Sequence, residues 1–195
     1  MKNEILEIIT NHNINGFGLP GGTDKAEGHS YDLFYDEYFK QYKDKEGTLL
    51  EIGVQYGGSS LLWHDYLPKF KLVMTDILNQ VHPTIWDKMN ENRYEYINMD
   101  AFNINNVNNL KEKYPDGFDI IIEDGPHTLE SQIFAIKEYS KLLKKGGILV
   151  IEDVQSENYI QPLLNVEGVD YTELKHVDLR HVKNRYDDLL IVLKK

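Results

Sequence analysis

Short apolar runs recur along the chain, and most lack the alternation of apolar and polar residues that marks a strand with one wet face. The runs at 49–52, 71–76, 94–99, 118–123 and 148–151 predict five strands buried on both faces, as in a parallel sheet. Amphipathic stretches fall between them. Residues 59–67 predict a helix with Leu62 and Tyr66 on one side, and 83–89 a short one. Residues 104–113 predict another, and 128–143 a longer helix with Ile133, Ile136 and Leu143 near one face. Strand–helix alternation at this pitch gives an open α/β sheet with right-handed crossovers. Beyond Asp153 the pattern predicts a helix at 156–164 and two strands at 171–177 and 189–193, with RHVKNRYDD as the hairpin loop between them. The expected fold is therefore a seven-stranded, mostly parallel sheet with an antiparallel C-terminal edge hairpin and helices on both faces.

Ligands of such sheets bind at the carboxyl ends of the strands. Glu51, Asp76, Asp100, Asp124, Glu152 and Asp153 each end or follow a predicted strand, and random surface acids would not all choose one edge. One strand runs into the sequence EDGPH, which adds His127 beside Asp124; the next ends in IEDVQ.

Composition narrows the chemistry. The 195 residues fit one domain, with 1–45 as an N-terminal helical arm on the substrate side and 46–195 as the core. No apolar stretch approaches the ~20 residues of a membrane span, and the N-terminus lacks a signal-peptide core, so a cytoplasmic location is expected. With no cysteine, disulfides, thiolate metal sites and cysteine nucleophiles are excluded. A formal net charge of −11 without a basic stripe disfavours nucleic acid as a partner and suits a neutral or cationic ligand.

The turn after the first strand reads EIGVQYGGSS. A dinucleotide turn, G-x-G-x-x-G, would carry glycine where Gln55 stands, and the lysine of a phosphate-binding loop is missing, so NAD, FAD and nucleotide triphosphates are disfavoured. The pattern E-x-G-x-x-x-G, followed by an acid ending the second strand, resembles the class I methyltransferases with their Rossmann-like fold. That resemblance implies an S-adenosylmethionine site made from Glu51, Gly53, Gly57 and Ser59, with Asp76 on the ribose hydroxyls, Asp100 near the adenine and Asp124 also at the cofactor. Taken alone, the glycines equally suit a plain strand-to-helix turn.

Upstream, GTDKAEGHSYDLFYDEYF is rich in turn formers and then in tyrosines and acids. Together with LLEIGVQYGGSSLLWHDYLP, EDGPH and GGILVIEDVQ it resembles the metal-dependent sugar O-methyltransferases of antibiotic biosynthesis, of the mycinamicin and tetracenomycin type. More distant is a likeness to the macrocin and novobiocin enzymes. The resemblance spans roughly residues 20–160. It implies a divalent cation, Mg²⁺ or another such as Mn²⁺, held by Asp124, Glu152 and Asp153, with His127 as general base and a small-molecule or glycan acceptor. A homo-oligomer is compatible with it. The chemistry asks for the same parts: a sugar hydroxyl is a poor nucleophile until a cation lowers its pKa and a near-neutral imidazole takes its proton. Alternatives stay open at this point. His127 fits a helix cap as well as a base, the Glu152–Asp153 pair fits a metal-free strand end, and His29 and Tyr31 fit either an acceptor pocket or core packing. A catechol-type O-methyltransferase, a non-catalytic cofactor-binding module and a nucleotide-sugar enzyme are the competing functions.

Overall fold

A computed structural model describes residues 3–16 and 18–195. Helices α1 (Glu4–His12) and α2 (Tyr31–Tyr38) precede the sheet. There follow β1 (Gly47–Ile52), α3 (Gly58–Tyr66), β2 (Phe70–Asp76), α4 (Pro83–Trp86), β3 (Tyr94–Asn98), α5 (Ile104–Lys113), β4 (Phe118–Glu123), α6 (Leu129–Phe134) and β5 (Leu143–Ile151). The C-terminal part adds α7 (Glu157–Leu164), β6 (Glu173–Asp178), α8 (Arg180–Lys183) and β7 (Leu189–Lys194).

The seven strands form one sheet in the order β3-β2-β1-β4-β5-β7-β6. Strands β1 to β5 pair in parallel, and β7 runs antiparallel to both β5 and β6. The order reverses between β1 and β4, and a crevice opens there because successive crossovers leave toward opposite sides. The central strands are apolar without alternation because both faces are covered. Leu49, Ile120, Ile148 and Val150 pack under α1, α2 and α3 on one face, while Leu50, Ile121, Leu149 and Ile151 pack with residues of α5, α6 and α7 on the other. Burying each such side chain stabilises the fold by about 1.5–3 kcal/mol.

Four expectations change in detail. The helix foreseen at 128–143 is α-helical only over Leu129–Phe134; it loosens into a π-turn at Ala135–Tyr139 and tightens into a 3₁₀ turn at Ser140–Leu142. The loosened turn accompanies the burial of Ala135, Ile136 and Tyr139 together, and the Tyr139 hydroxyl donates to the Ala101 carbonyl at 2.7 Å. Leu143 belongs to β5, which is longer than its apolar run and carries a register shift opposite Phe118–Ile120. Strand β3 is only half buried because it is the sheet edge. The RHVKNRYDD segment is not a bare loop: it holds α8, closed by Asn184 in the left-handed conformation.

Candidate active site

A cavity of about 630 Å³ opens at the carboxyl ends of β1, β2, β4 and β5, within the ~300–1,000 Å³ typical of small-molecule sites. Its wall includes Gly53, Ser59, Asp76, Asp100, Asp124, His127 and Asp153, so seven of the ten residues singled out by sequence share one space. Glu51, Gly57 and Glu152 do not line it.

One end is built by the turn between β1 and α3. Gly53 has φ +83°, and a Cβ there would lie 1.9 Å from the Asp124 carbonyl oxygen; only glycine lets β1 and β4 end this close. Gly57, at φ +86°, is the N-cap of α3, and a side chain on it would strike Val81. Asp76 folds back over this turn. Its Oδ2 accepts the backbone N–H groups of Val54 and Gln55, both at 2.9 Å, and its Oδ1 accepts that of Leu78 at 3.2 Å. Three of the carboxylate's roughly four lone-pair sites are taken in this way, and Oδ1 keeps acceptor capacity. Asp100 is exposed, its Oδ1 accepting the Phe102 N–H at 2.9 Å. Ile77, Leu78, Met99 and Phe102 supply apolar wall between these two acids. Glu51 lies beneath the turn instead, fully buried, its carboxylate accepting Ser60 Oγ and the Trp63 indole N–H of α3.

The other end gathers carboxylates. Asp124 Oδ2 and Glu152 Oε2 both bond the ammonium of Lys25, at 2.9 and 2.5 Å. The remaining oxygen of Glu152 accepts the Tyr35 hydroxyl. Asp153 Oδ1 accepts the Tyr31 hydroxyl at 2.6 Å. His127 stands opposite, its Nε2 3.9 Å from Asp124 Oδ1 and 3.7 Å from Asp153 Oδ2, its Nδ1 buried without a partner. His127 does not cap α6; Thr128 does, in a reciprocal capping box with Ser131. His127 and Asp153 both sit in the left-handed region, at φ +57° and +53°, which costs energy for non-glycine residues and concentrates at functional sites. Gln132 of α6 holds the second of these bends by donating to the carbonyls of Glu152 and Asp153 at 3.0 and 3.3 Å.

Charge in this cluster does not balance. Lys25 is fully buried, yet its pKa stands well above the ordinary value: burial works against its charge, and Asp124 and Glu152 outweigh it. Burial likewise opposes ionisation of Asp124, but Lys25 and His127 carry it below its usual range. For Asp153, burial and then the Asp124 carboxylate push the pKa up to about 8. Glu152 also rises, through burial first, with Asp124 and Asp153 adding to it against the pull of Lys25. Three carboxylates share one ammonium, and the excess negative charge is what a dication neutralises. Asp124, His127 and Asp153 each offer a donor atom within 4.8 Å of the others, and the two carboxylates among them suit a hard divalent ion. Glu152 is the more enclosed acid: each of its oxygens already accepts one bond, from Lys25 and from Tyr35, and keeps one further lone-pair site. Glu123, the other acid of EDGPH, lies on the opposite face against Gly125 and Phe102, and one of its oxygens is unpaired.

The sequence does not single out Lys25, Tyr35 or Arg185 as functional, and it leaves His29 and Tyr31 open between an acceptor pocket and core packing. Lys25, Tyr31 and Tyr35 come from the N-terminal arm and reach strand ends 99 to 127 residues away. Their local signal was the spacing of Tyr31 and Tyr35, four apart and thus on one helix face. His29 is fully buried, its Nδ1 2.7 Å from Asp188 Oδ1, and it stacks on Tyr31. Arg185, from the loop after α8, also lines the cavity.

A family model described as a methyltransferase domain matches residues 50–154, just over half of the chain. Among curated relatives, an 8-demethyl-8-alpha-L-rhamnosyl tetracenomycin-C 2'-O-methyltransferase of Streptomyces olivaceus is 27% identical over 148 residues, 72% of this chain and 37% of that protein. A mycinamicin VI 2''-O-methyltransferase of Micromonospora griseorubida is 28% identical over 133 residues, covering 65% of this chain and 32% of its own. Among solved structures, the MycE methyltransferase of the mycinamycin biosynthetic pathway, in complex with Mg, SAH and mycinamycin VI, superposes with a TM-score of 0.68 at 20% identity. All of this chain and 54% of that one are covered. The chain thus spans about a third of the length of the curated relatives it matches.

Proposed function

The chain belongs to the methyltransferase-domain family, and from that premise we propose that it transfers a methyl group from S-adenosylmethionine to a hydroxyl of a sugar or glycoside, assisted by a divalent cation, Mg²⁺ or Mn²⁺. The observation that carries this reading is one cavity with two chemically different ends: a glycine turn with Asp76 and Asp100 at one, and a cation-seeking cluster with His127 at the other. The relatives named as O-methyltransferases of glycosides support the acceptor class.

Bound S-adenosylmethionine supplies a methyl group activated on a sulfonium, and a bound divalent cation supplies the Lewis acidity that lowers a hydroxyl's pKa. The residues of the chain do the rest. Gly53 keeps the turn free of side-chain bulk, Asp76 offers its carboxylate to the ribose hydroxyls, and Asp100 with Phe102 and Met99 borders the adenine end. Gly57 and Ser59 shape the start of α3, and Glu51 acts from below by fixing Ser60 and Trp63. Asp124 and Asp153 would hold the cation. Glu152 is the third acid of the cluster and ties it to Lys25 and Tyr35. His127 Nε2 receives the acceptor's proton, with Asp124 and Asp153 near enough to stabilise the imidazolium. Residues 1–45 serve as the substrate-side arm of a single catalytic domain whose core is 46–195.

Calorimetry with S-adenosylhomocysteine tests the cofactor half. Wild-type protein is expected to bind it, and Asp76→Ala to weaken that binding by roughly 10-fold or more, the cost of a lost hydrogen bond to a charged acceptor. Equal affinity in the two proteins would remove Asp76 from the cofactor site.

A further inference from the structure

Arg185 lines the main cavity and also a shallow groove formed by Asp178, Arg180, His181, Asn184 and Tyr186. The groove is built rigidly. Arg180 bonds Asp178 and reaches Glu157 of α7 at 2.6 Å, and Lys183 donates to the carbonyls of Ala26 and His29 in the arm. Tyr186 is 64% exposed, and its hydroxyl donates to Gln155 Oε1 at 2.9 Å, while Gln155 Nε2 donates to the Asp153 carbonyl at 3.1 Å. An exposed aromatic ring is thus tethered to the strand end that carries the acid cluster.

We propose that this groove is the acceptor's second subsite, where a sugar ring next to the methylated one stacks on Tyr186 and hydrogen-bonds Arg185; the acceptor is then a glycoside of at least two rings. The inference rests on the sugar O-methyltransferase reading above. Charge favours a neutral, hydroxyl-rich occupant. The guanidinium of Arg180 is matched by Asp178 and Glu157, and that of Arg185 by Asp187 through Nε and Nη2, so neither cation is left for a phosphate. Arg185 Nη1, the His181 ring and the Asn184 amide keep hydrogen-bonding capacity suited to vicinal hydroxyls. An aromatic face pre-set by its own hydrogen bond gives up little entropy when a sugar covers it.

The test is calorimetry on the full chain, saturated with S-adenosylhomocysteine and Mg²⁺, against a panel of methyl glycosides with one or two rings, in parallel with methyl-transfer assays. Tyr186→Ala is expected to weaken two-ring binding about tenfold while affecting one-ring binding far less. Tyr186→Phe, which keeps the ring and loses the tether, is expected to fall between. Tyr171→Ala, exposed and outside both spaces, is the control and is expected to behave as wild type. If two-ring glycosides are methylated by wild type and bind Tyr186→Ala equally well, the subsite is wrong and the functional reading stands. If no glycoside of the panel binds or is methylated, both fall together.

Discussion

The proposed chemistry rests most heavily on His127, and its backbone constrains how that is tested. At φ +57° few side chains are comfortable, but asparagine is one of them. His127→Asn is therefore expected to keep the fold, read as an unchanged melting temperature, while kcat drops by ~10²–10⁴ with loss of the general base. Full turnover in that variant would place the proton transfer elsewhere. Glu123 gives a second residue-scale expectation. Burial, with Asp124 next, pushes its pKa up to about 8 from an ordinary 4.5. The folded chain holds a proton there that the unfolded chain releases, so this contribution to stability is complete below about 4.5 and is lost as pH rises through about 8. Glu123→Gln stands in for the protonated acid, and its melting temperature in metal-free buffer is expected to fall less than that of wild type over this interval. Parallel pH profiles would show that Glu123 does not hold the proton. At this scale the sequence spoke unevenly. The acids at strand ends were legible because a carboxylate closing an apolar run is a local pattern. The left-handed bends at His127 and Asp153 were not, because they follow from how β4, β5 and α6 meet.

Among the elements, the arm holds the site together in a way its sequence only hinted at. The central strands announced themselves because both their faces are buried, and Gly53 announced the turn after β1. The register shift in β5 and the π-turn after α6 answer to packing against distant residues such as Phe118 and Ala101, so no local pattern encodes them. The arm's role is likewise a matter of long-range contact: Lys25, Tyr31 and Tyr35 bond three carboxylates carried by β4 and β5 ends. Removing one member of a buried ion pair leaves uncompensated charge and costs about 3–5 kcal/mol. Lys25→Met is expected to lose stability on that order in metal-free urea unfolding, since methionine fills the space without pairing Asp124 or Glu152. An unchanged urea midpoint would mean that the arm docks through its apolar contacts alone.

For the molecule as a whole, the seven-stranded sheet supplies position and the charge distribution supplies selectivity. A net charge of −11 goes with a cavity that holds Asp76 and Asp100 at one end and brings Asp124 and Asp153 together at the other, where a cation is favoured. Among the described residues no helix is long and apolar enough to cross a membrane. The longer curated relatives contain sequence this chain does not match, so the acceptor groove proposed at α8 and Tyr186 is a place where this chain's specificity is open to direct measurement. The most direct test of the central claim is transfer of a labelled methyl group from S-adenosylmethionine to a glycoside panel, with Mg²⁺ and then with EDTA. The account predicts a methyl ether and S-adenosylhomocysteine in equal amounts with Mg²⁺, and loss of turnover in EDTA that Mg²⁺ restores. Equal turnover in EDTA, or methyl transfer that bypasses every sugar hydroxyl offered, would contradict it.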